Sequence, residues 1–159
     1  MDNSQLTIRH ALLSDLSEMK KLFVETIETI CKNDYSPEQI TAWTLSVKQT
    51  DRWIDKLLKQ YFLVAQSQNK IIGYCSLEGN DYLDFLYVHK DFQQQGLANR
   101  LYNEIEREAI KRGSRILNAD VSITAKPFFE KQGFKTPVEQ KIQLNGVEII
   151  NFKMTKALL

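Results

Sequence analysis

The sequence predicts a single α+β domain, and three observations carry that reading. Apolar residues recur at helical spacing in two separate stretches: Leu16, Met19, Leu22, Phe23, Ile27 and Ile30 near the start, and Leu97, Leu101, Ile105 and Ala109 later on. Between them lie three apolar-rich runs, 61–65, 71–77 and 82–88, parted by polar or glycine-containing turns, which read as strands. Two further apolar runs flank Asn145-Gly146, the dipeptide that signals a tight hairpin most strongly.

Taken in order, Leu6, Thr7 and Ile8 give a short apolar–polar–apolar strand, and Asp15 can cap the first helix. Ser36-Pro37-Glu38 opens a second helix, since proline at the first helical position has no needed N–H to lose, and Ile40, Trp43 and Leu45 follow. Trp53, Ile54, Leu57 and Leu58 mark a further short helix. After the three strands the helical period returns from Gly96 and stops at Lys111-Arg112-Gly113, where basic side chains meet the negative helix end and glycine closes it. Residues 116–121 read as a strand, and 125–132 as a short helix with Pro127 in its first turn and Gly133 as its stop. Strands 138–144 and 147–154 complete the hairpin. The order is β-α-α-β-β-β-α-β-α-β-β, without repeat, low-complexity tract or linker, so residues 1–159 form one domain.

Composition sets the bounds. A chain of 159 residues that is 43% apolar can bury a real core. Its 21 Lys+Arg balance 20 Asp+Glu with no long basic stripe, which argues against nucleic acid or an anionic membrane as partner. Residues 1–10 lack a signal-peptide stretch, and no apolar run reaches membrane-span length. Cys31 and Cys75 cannot build a disulfide framework, and with only His10 and His89 available no metal site is expected. The expectation is a soluble protein of a reducing compartment, the cytoplasm.

One junction carries most of the functional signal. The run ending Leu86-Tyr87-Val88 leads through His89-Lys90-Asp91-Phe92 into Gln93-Gln94-Gln95-Gly96-Leu97-Ala98, where the long helix begins at about Gln95. A helix N-terminus offers unpaired N–H groups and a positive dipole end, which together suit a phosphate. Gly96 lets a diphosphate approach the backbone, and Ala98 keeps the first turn free of bulk. A glycine loop entering a helix also occurs without any ligand, and local chemistry alone leaves both readings open.

The segment Gln93 to Ala98 resembles the acyl-CoA pyrophosphate loop of the GNAT acetyltransferases, (Gln/Arg)-x-x-Gly-x-(Gly/Ala). Leu86-Tyr87-Val88 resembles the splayed central strand of that fold. Ala125-Lys126-Pro127-Phe128-Phe129, running on to Gly133-Phe134, is similar to the family's Ala-x-x-(Phe/Tyr)-(Tyr/Phe)-x-x-x-Gly-Phe segment. The run from Ser122 to Phe129, with Tyr35-Ser36-Pro37-Glu38-Gln39-Ile40 and Trp43, resembles the YafP-like branch of the family. The resemblance covers nearly the whole chain. It implies a mixed, mainly antiparallel sheet that splits near residues 86–88, with acetyl-CoA as co-substrate and a primary amine of a small molecule or peptide as acceptor. Family members occur as monomers and as homodimers, so both states are open.

Translated into chemistry, the resemblance assigns the backbone of Leu86, Tyr87 and Val88 to the pantetheine and acetyl carbonyl. It assigns Gln93, Gln94, Gln95, Gly96, Leu97 and Ala98 to the pyrophosphate, with Asn99 beside them. Ser122 stands where the family often has Asn, and keeps one hydroxyl donor for the cofactor arm. Phe129 stands where many members place the tyrosine that protonates the departing thiolate, so here that donor is missing. A free thiol titrates near about 8.5, so its thiolate can leave and take a proton from solvent.

The acceptor must shed a proton before attack, which calls for a carboxylate or water near the thioester. Asp84, two residues before Leu86, falls on the same strand face if no bulge intervenes. Its alternative reading is a strand aspartate salt-linked to a neighbour. Tyr82 occupies the place where some members carry a glutamate base, and an unperturbed tyrosine is no strong base near neutral pH. Glu78 is a lesser candidate for the base and otherwise a turn-proximal surface charge, and His89 reads as a solvated strand-end histidine. Tyr35 and Trp43 belong to the substrate-side lip of this fold and either line the acceptor pocket or pack. The rival to an enzyme is an acyl-CoA sensor without efficient turnover, which the lack of a tyrosine at position 129 favours. No phosphate-loop or dinucleotide fingerprint supports a nucleotide binder.

Overall fold

The computed structural model describes residues 5–159. Its strands are β1 (Leu6–His10), β2 (Tyr61–Ser67), β3 (Lys70–Glu78), β4 (Tyr82–Val88), β5 (Ile116–Ser122), β6 (Lys135–Leu144) and β7 (Val147–Ala157). They form a seven-stranded sheet in the order β1-β2-β3-β4-β5-β7-β6. Every neighbouring pair is antiparallel except β4 with β5, so the mixed, mainly antiparallel sheet is as expected. Three helices precede β2: α1 (Leu16–Ile30), α2 (Pro37–Thr44) and α3 (Thr50–Lys59). The third is the short segment around Trp53, which the expected order left out. Helices α4 (Leu97–Lys111) and α5 (Lys126–Lys131) complete the chain. The absence of a signal-peptide stretch concerns residues 1–10, of which 1–4 lie outside the described residues. No helix among the described residues is long and apolar enough to cross a membrane.

Local chemistry explains the ends of these elements. Ser36 Oγ accepts the Gln39 N–H at 3.1 Å while Gln39 Oε1 accepts the Ser36 N–H at 2.9 Å, a reciprocal cap over Pro37. Asp15, expected to cap α1, instead turns its carboxylate back to the Leu12 N–H (2.7 Å) and forms a two-pronged pair with Arg9 (2.8 and 2.9 Å). A guanidinium fork outcompetes a single amide for that carboxylate. The Asn145-Gly146 turn has positive φ at both residues, 48° and 81°, as a two-residue hairpin of this twist requires. Leu144 pairs with Val147 across it.

The centre of the sheet is buried on both faces. Leu97, Leu101, Tyr102, Ile105 and Ala109 of α4 pack on one face against Ile72, Leu77, Leu117 and Met154. Met19, Leu22, Phe23 and Ile27 of α1, with Trp53 and Leu57 of α3, pack on the other against Phe62, Val64, Tyr74 and Phe85. Each such side chain contributes about 1.5–3 kcal/mol by leaving water, so the two layers fix the sheet against its helices. Gly73 is where α4 lies closest: a Cβ there would stand 3.0 Å from Leu101 and 3.1 Å from the Tyr87 carbonyl oxygen.

Candidate active site

The sheet opens between β4 and β5, the one parallel junction among the described residues. β4 and β5 pair through Tyr82 with Asn118 and Leu83 with Ala119, and no further. Beyond that point β4 stays bonded to β3 alone, with Leu86, Tyr87 and Val88 opposite Cys75, Tyr74 and Gly73. The His89 N–H goes to the Ile72 carbonyl on the β3 side at 2.8 Å. Strand alternation then aims the Val88 and Leu86 amides at β5, from which the strand has parted. The expected split at residues 86–88 is therefore present, and it leaves backbone donors facing a wedge.

A bulge at Ser76 shapes the strand below the wedge. Cys75 faces Leu86 while Leu77 already faces Leu83, so two β4 residues, Asp84 and Phe85, oppose Ser76. The Ser76 hydroxyl takes up the Phe85 N–H at 3.2 Å. Asp84 consequently shares a face with Phe85 and lies opposite Leu86, and the same-face placement expected from plain alternation does not hold. Asp84 Oδ2 accepts from Lys56 Nζ at 2.9 Å and from Gln60 Nε2 at 2.7 Å. The salt link to a neighbour is thus real; Oδ1 has no partner among the described residues.

At the top of β4 the chain turns through a short 3-10 segment into α4. Gln94 and Gly96 have positive φ, 58° and 81°. A side chain at Gly96 would meet no atom within 4 Å, so the space beside that backbone is open. The first helical bond is Arg100 N–H to the Gly96 carbonyl at 3.1 Å, which leaves the amides of Leu97, Ala98 and Asn99 unspent. The helix proper begins at Leu97 rather than about Gln95, because the left-handed Gly96 is its cap. The Gln93 side chain fastens the loop by donating to the Val88 carbonyl at 2.7 Å. Asn99 accepts from Gln132, the residue that caps the end of α5, at 3.0 Å. His89, expected to be solvated, is 6% exposed, and its Nδ1 accepts the Asp91 N–H at 3.0 Å. Burial, with Lys70 nearby, lowers its pKa.

A cavity of about 950 Å³ joins this loop to the first helices. Gln93, Gln94, Gly96, Ala98 and Asn99 line one end; Tyr82, Asp84, Tyr87 and Trp43 line the other. Ser122 lies on its wall, with Oγ accepting the Ala125 N–H at 3.0 Å and the hydroxyl proton left over. Phe129 is 5% exposed and packs edge-on to Phe134 at 5.0 Å, so no donor stands at that place. Tyr35 is 5% exposed; its hydroxyl donates to the Ile150 carbonyl (2.8 Å) and accepts the Ile123 N–H (2.9 Å). Burial, the largest cause, pushes its pKa up to about 12. Its ring meets Trp43 edge-on at 5.4 Å. Tyr35 is thus a tie between the lip and the sheet, whereas Trp43 is half-buried beside the cavity.

The sequence reading missed the far wall. Asp120, Asn151, Ile142, Leu144 and Ile149 also face the cavity, from β5, β6 and β7. The alternation Asn118-Ala119-Asp120-Val121-Ser122 does mark Asp120 as belonging to the polar face. Its place beside Tyr82 depends on β4 and β5 being neighbours, which pattern alone does not disclose. Among the described residues no cluster of His, Cys, Asp or Glu is placed to hold a metal.

The sequence model of the Acetyltransferase (GNAT) domain matches residues 31–156. The uncharacterised N-acetyltransferase YafP of Escherichia coli K12 is 35% identical over 156 residues, 97% of this chain and 96% of that protein. The fold superposes on a GCN5-related N-acetyltransferase from Rhodopseudomonas palustris with TM-score 0.94, 34% identity and 99% of both chains covered. The PaiA N-acetyltransferase of Thermoplasma acidophilum, solved with coenzyme A, has TM-score 0.78 at 21% identity over 96% of this chain and 98% of its own. A strand that parts from its parallel neighbour, a left-handed glycine opening the next helix, and these likenesses along nearly the whole chain agree: the protein belongs to the GNAT acetyltransferase family.

Proposed function

We propose that this protein is an N-acetyltransferase that moves the acetyl group of acetyl-CoA to a primary amine of a small molecule or peptide. The split between β4 and β5 carries the reading, because it joins free backbone donors to a cavity that runs from the α4 loop to the first helices. The pantetheine arm lies in the wedge against Leu86, Tyr87 and Val88, and Ser122 offers a hydroxyl from the facing strand. The pyrophosphate sits over the amides of Gln94 to Ala98, where the α4 dipole adds favourable charge. The residues fit that group: amides are unspent, and no atom stands within 4 Å of a side chain built at Gly96.

The acceptor enters from the side of Trp43 and Tyr82. Asp84 takes its proton through water at Oδ1, while Lys56 and Gln60 hold Oδ2 in place. The neutral nitrogen attacks the thioester carbonyl, and the Leu86 amide faces the oxygen on which charge develops. As the C–N bond forms and the C–S bond breaks, the nitrogen gives up its second proton to solvent and the thiolate takes one from solvent, since Phe129 has none to give. Much of the acceleration then comes from holding two reactants together.

The test follows free CoA release from acetyl-CoA across a panel of amines, alongside calorimetric acetyl-CoA binding. Amine-dependent release supports the enzyme. Binding without release under every acceptor supports an acyl-CoA sensor instead, and no binding at all removes the cofactor assignment.

A further inference from the structure

We infer that Asp120 is the receptor for a second positive charge on the acceptor, so that the preferred substrate is an amine bearing another cationic group a short chain away. This rests on the acetyl-transfer reading above.

Asp120 is placed by the root of the split. β4 and β5 are still paired at Leu83 and Ala119, so the next residues, Asp84 and Asp120, come level on parallel strands as these part. Leu117, Ala119 and Val121 are buried toward α4, which puts Asn118, Asp120 and Ser122 on the cavity side. The Tyr82 hydroxyl donates to Asp120 Oδ2 at 2.6 Å, and Gln140 Nε2 donates to Oδ1 at 2.8 Å. The same Gln140 amide also reaches Asn151 Oδ1 at 3.0 Å, so its two protons are engaged.

This arrangement differs from that of Asp84 in one decisive respect. Asp84 already has an ammonium at 2.9 Å, whereas Asp120 is held only by neutral donors. Among the described residues it forms no ion pair. Lys153, its register partner on β7, is exposed and makes no ion pair with it. Arg52 also borders the cavity, from α3, and its guanidinium has Gln49 Oε1 at 3.4 Å. An ionised carboxylate offers about four acceptor positions, so two remain for a ligand. Fixed in orientation and wet on its open side, Asp120 is a prepared counter-ion.

The charge it awaits is not the reacting nitrogen. That nitrogen must be neutral and close to the Leu86 amide, two or so strand residues beyond, roughly 7 Å away. A second cationic group held at Asp120 would leave a connecting chain against Trp43, Ile142, Leu144 and Ile149, the apolar wall of the same cavity. Asp120 is exposed on its open side, so a charge pair there is worth about two- to fivefold in specificity.

The experiment compares kcat/KM for aniline, n-pentylamine and 1,5-diaminopentane in the wild type, Asp120→Asn, Asp120→Glu and Tyr82→Phe. Acetyl-CoA affinity and Tm serve as controls for folding. The wild type is expected to favour the diamine over the monoamine by about two- to fivefold, less so at high salt. Asp120→Asn should bring the two to parity with acetyl-CoA affinity unchanged. Asp120→Glu should keep part of the preference, as should Tyr82→Phe, which removes a donor but no charge. Equal wild-type values for monoamine and diamine, or a preference that survives Asp120→Asn, overturn the inference and leave acetyl transfer standing. Transfer to no amine at all overturns the proposed function and this inference with it.

Discussion

Lys56 Nζ stands 2.9 Å from Asp84 Oδ2, which ties α3 to the central strand directly beneath the wedge. Gln60, one helical turn on, adds a second bond to the same oxygen at 2.7 Å. The carboxylate is anchored on one oxygen and open on the other.

That geometry makes Asp84→Asn an informative change. If Oδ1 accepts the acceptor's proton, kcat should fall by about 10²–10⁴-fold with acetyl-CoA affinity nearly unchanged. Steady-state rates over neutral pH, with Tm recorded in parallel, make the check. Wild-type turnover in a folded variant would leave Asp84 as a structural charge. Phe129→Tyr is the companion: it should bind acetyl-CoA as the parent does and raise kcat wherever thiolate protonation limits the rate.

Gly96→Glu addresses the loop. The position has φ of 81°, which side chains rarely adopt, and it opens onto space that the pyrophosphate is proposed to fill. A glutamate would add both bulk and like charge there. Acetyl-CoA affinity should drop by at least about tenfold with the far-UV spectrum preserved, and unchanged binding by calorimetry would detach the loop from its role.

Tyr35 and Trp43, alike at the level of sequence, should now separate. Tyr35→Phe strands the Ile123 N–H and the Ile150 carbonyl, a loss of about 1–3 kcal/mol for a buried unsatisfied group. In a chain of this size that is a fall in Tm of roughly 2–10 °C. Trp43→Ala should instead raise the acceptor KM with acetyl-CoA binding near normal. A thermally neutral Tyr35→Phe would show that the tie is not holding the lip.

The Arg9–Asp15 pair predicts a pH signature. The hydrogen bond from Arg9, the largest cause, holds the Asp15 carboxyl below its ordinary value. A carboxyl depressed in the folded state contributes stability above its unfolded pKa, near about 3.9, and loses it as pH falls through the folded value. Asp15→Asn should therefore unfold at lower denaturant than the wild type at pH 7. The gap should shrink steadily below about pH 4 in urea titrations read by circular dichroism. A gap independent of pH would assign the loss to packing or to the Leu12 N–H bond.

Which parts of this were legible beforehand follows from the range of the forces involved. Helix α4, the proline-led α2 and the Asn145-Gly146 hairpin depend on periodicity and turn chemistry within a few residues, and the sequence alone determined them. The junction from β4 through Gly96 into α4 was legible for the same reason, since a strand end, a glycine and a helix N-terminus are consecutive in the chain. What lay beyond reach was set by contacts between distant residues. The bulge that turns Asp84 away from Leu86 exists because Ser76 of β3 faces two residues of β4. Asp15 leaves its helix because Arg9 competes for it, and Tyr35 is a tie because Ile123 and Ile150 converge on its hydroxyl. Asp120 acquires Tyr82 and Gln140 only once β5 lies between β4 and β7. Local propensity fixes what each segment becomes; the tertiary structure decides which side chains meet, because hydrogen bonds and ion pairs act over a few ångströms of space whatever the separation along the chain.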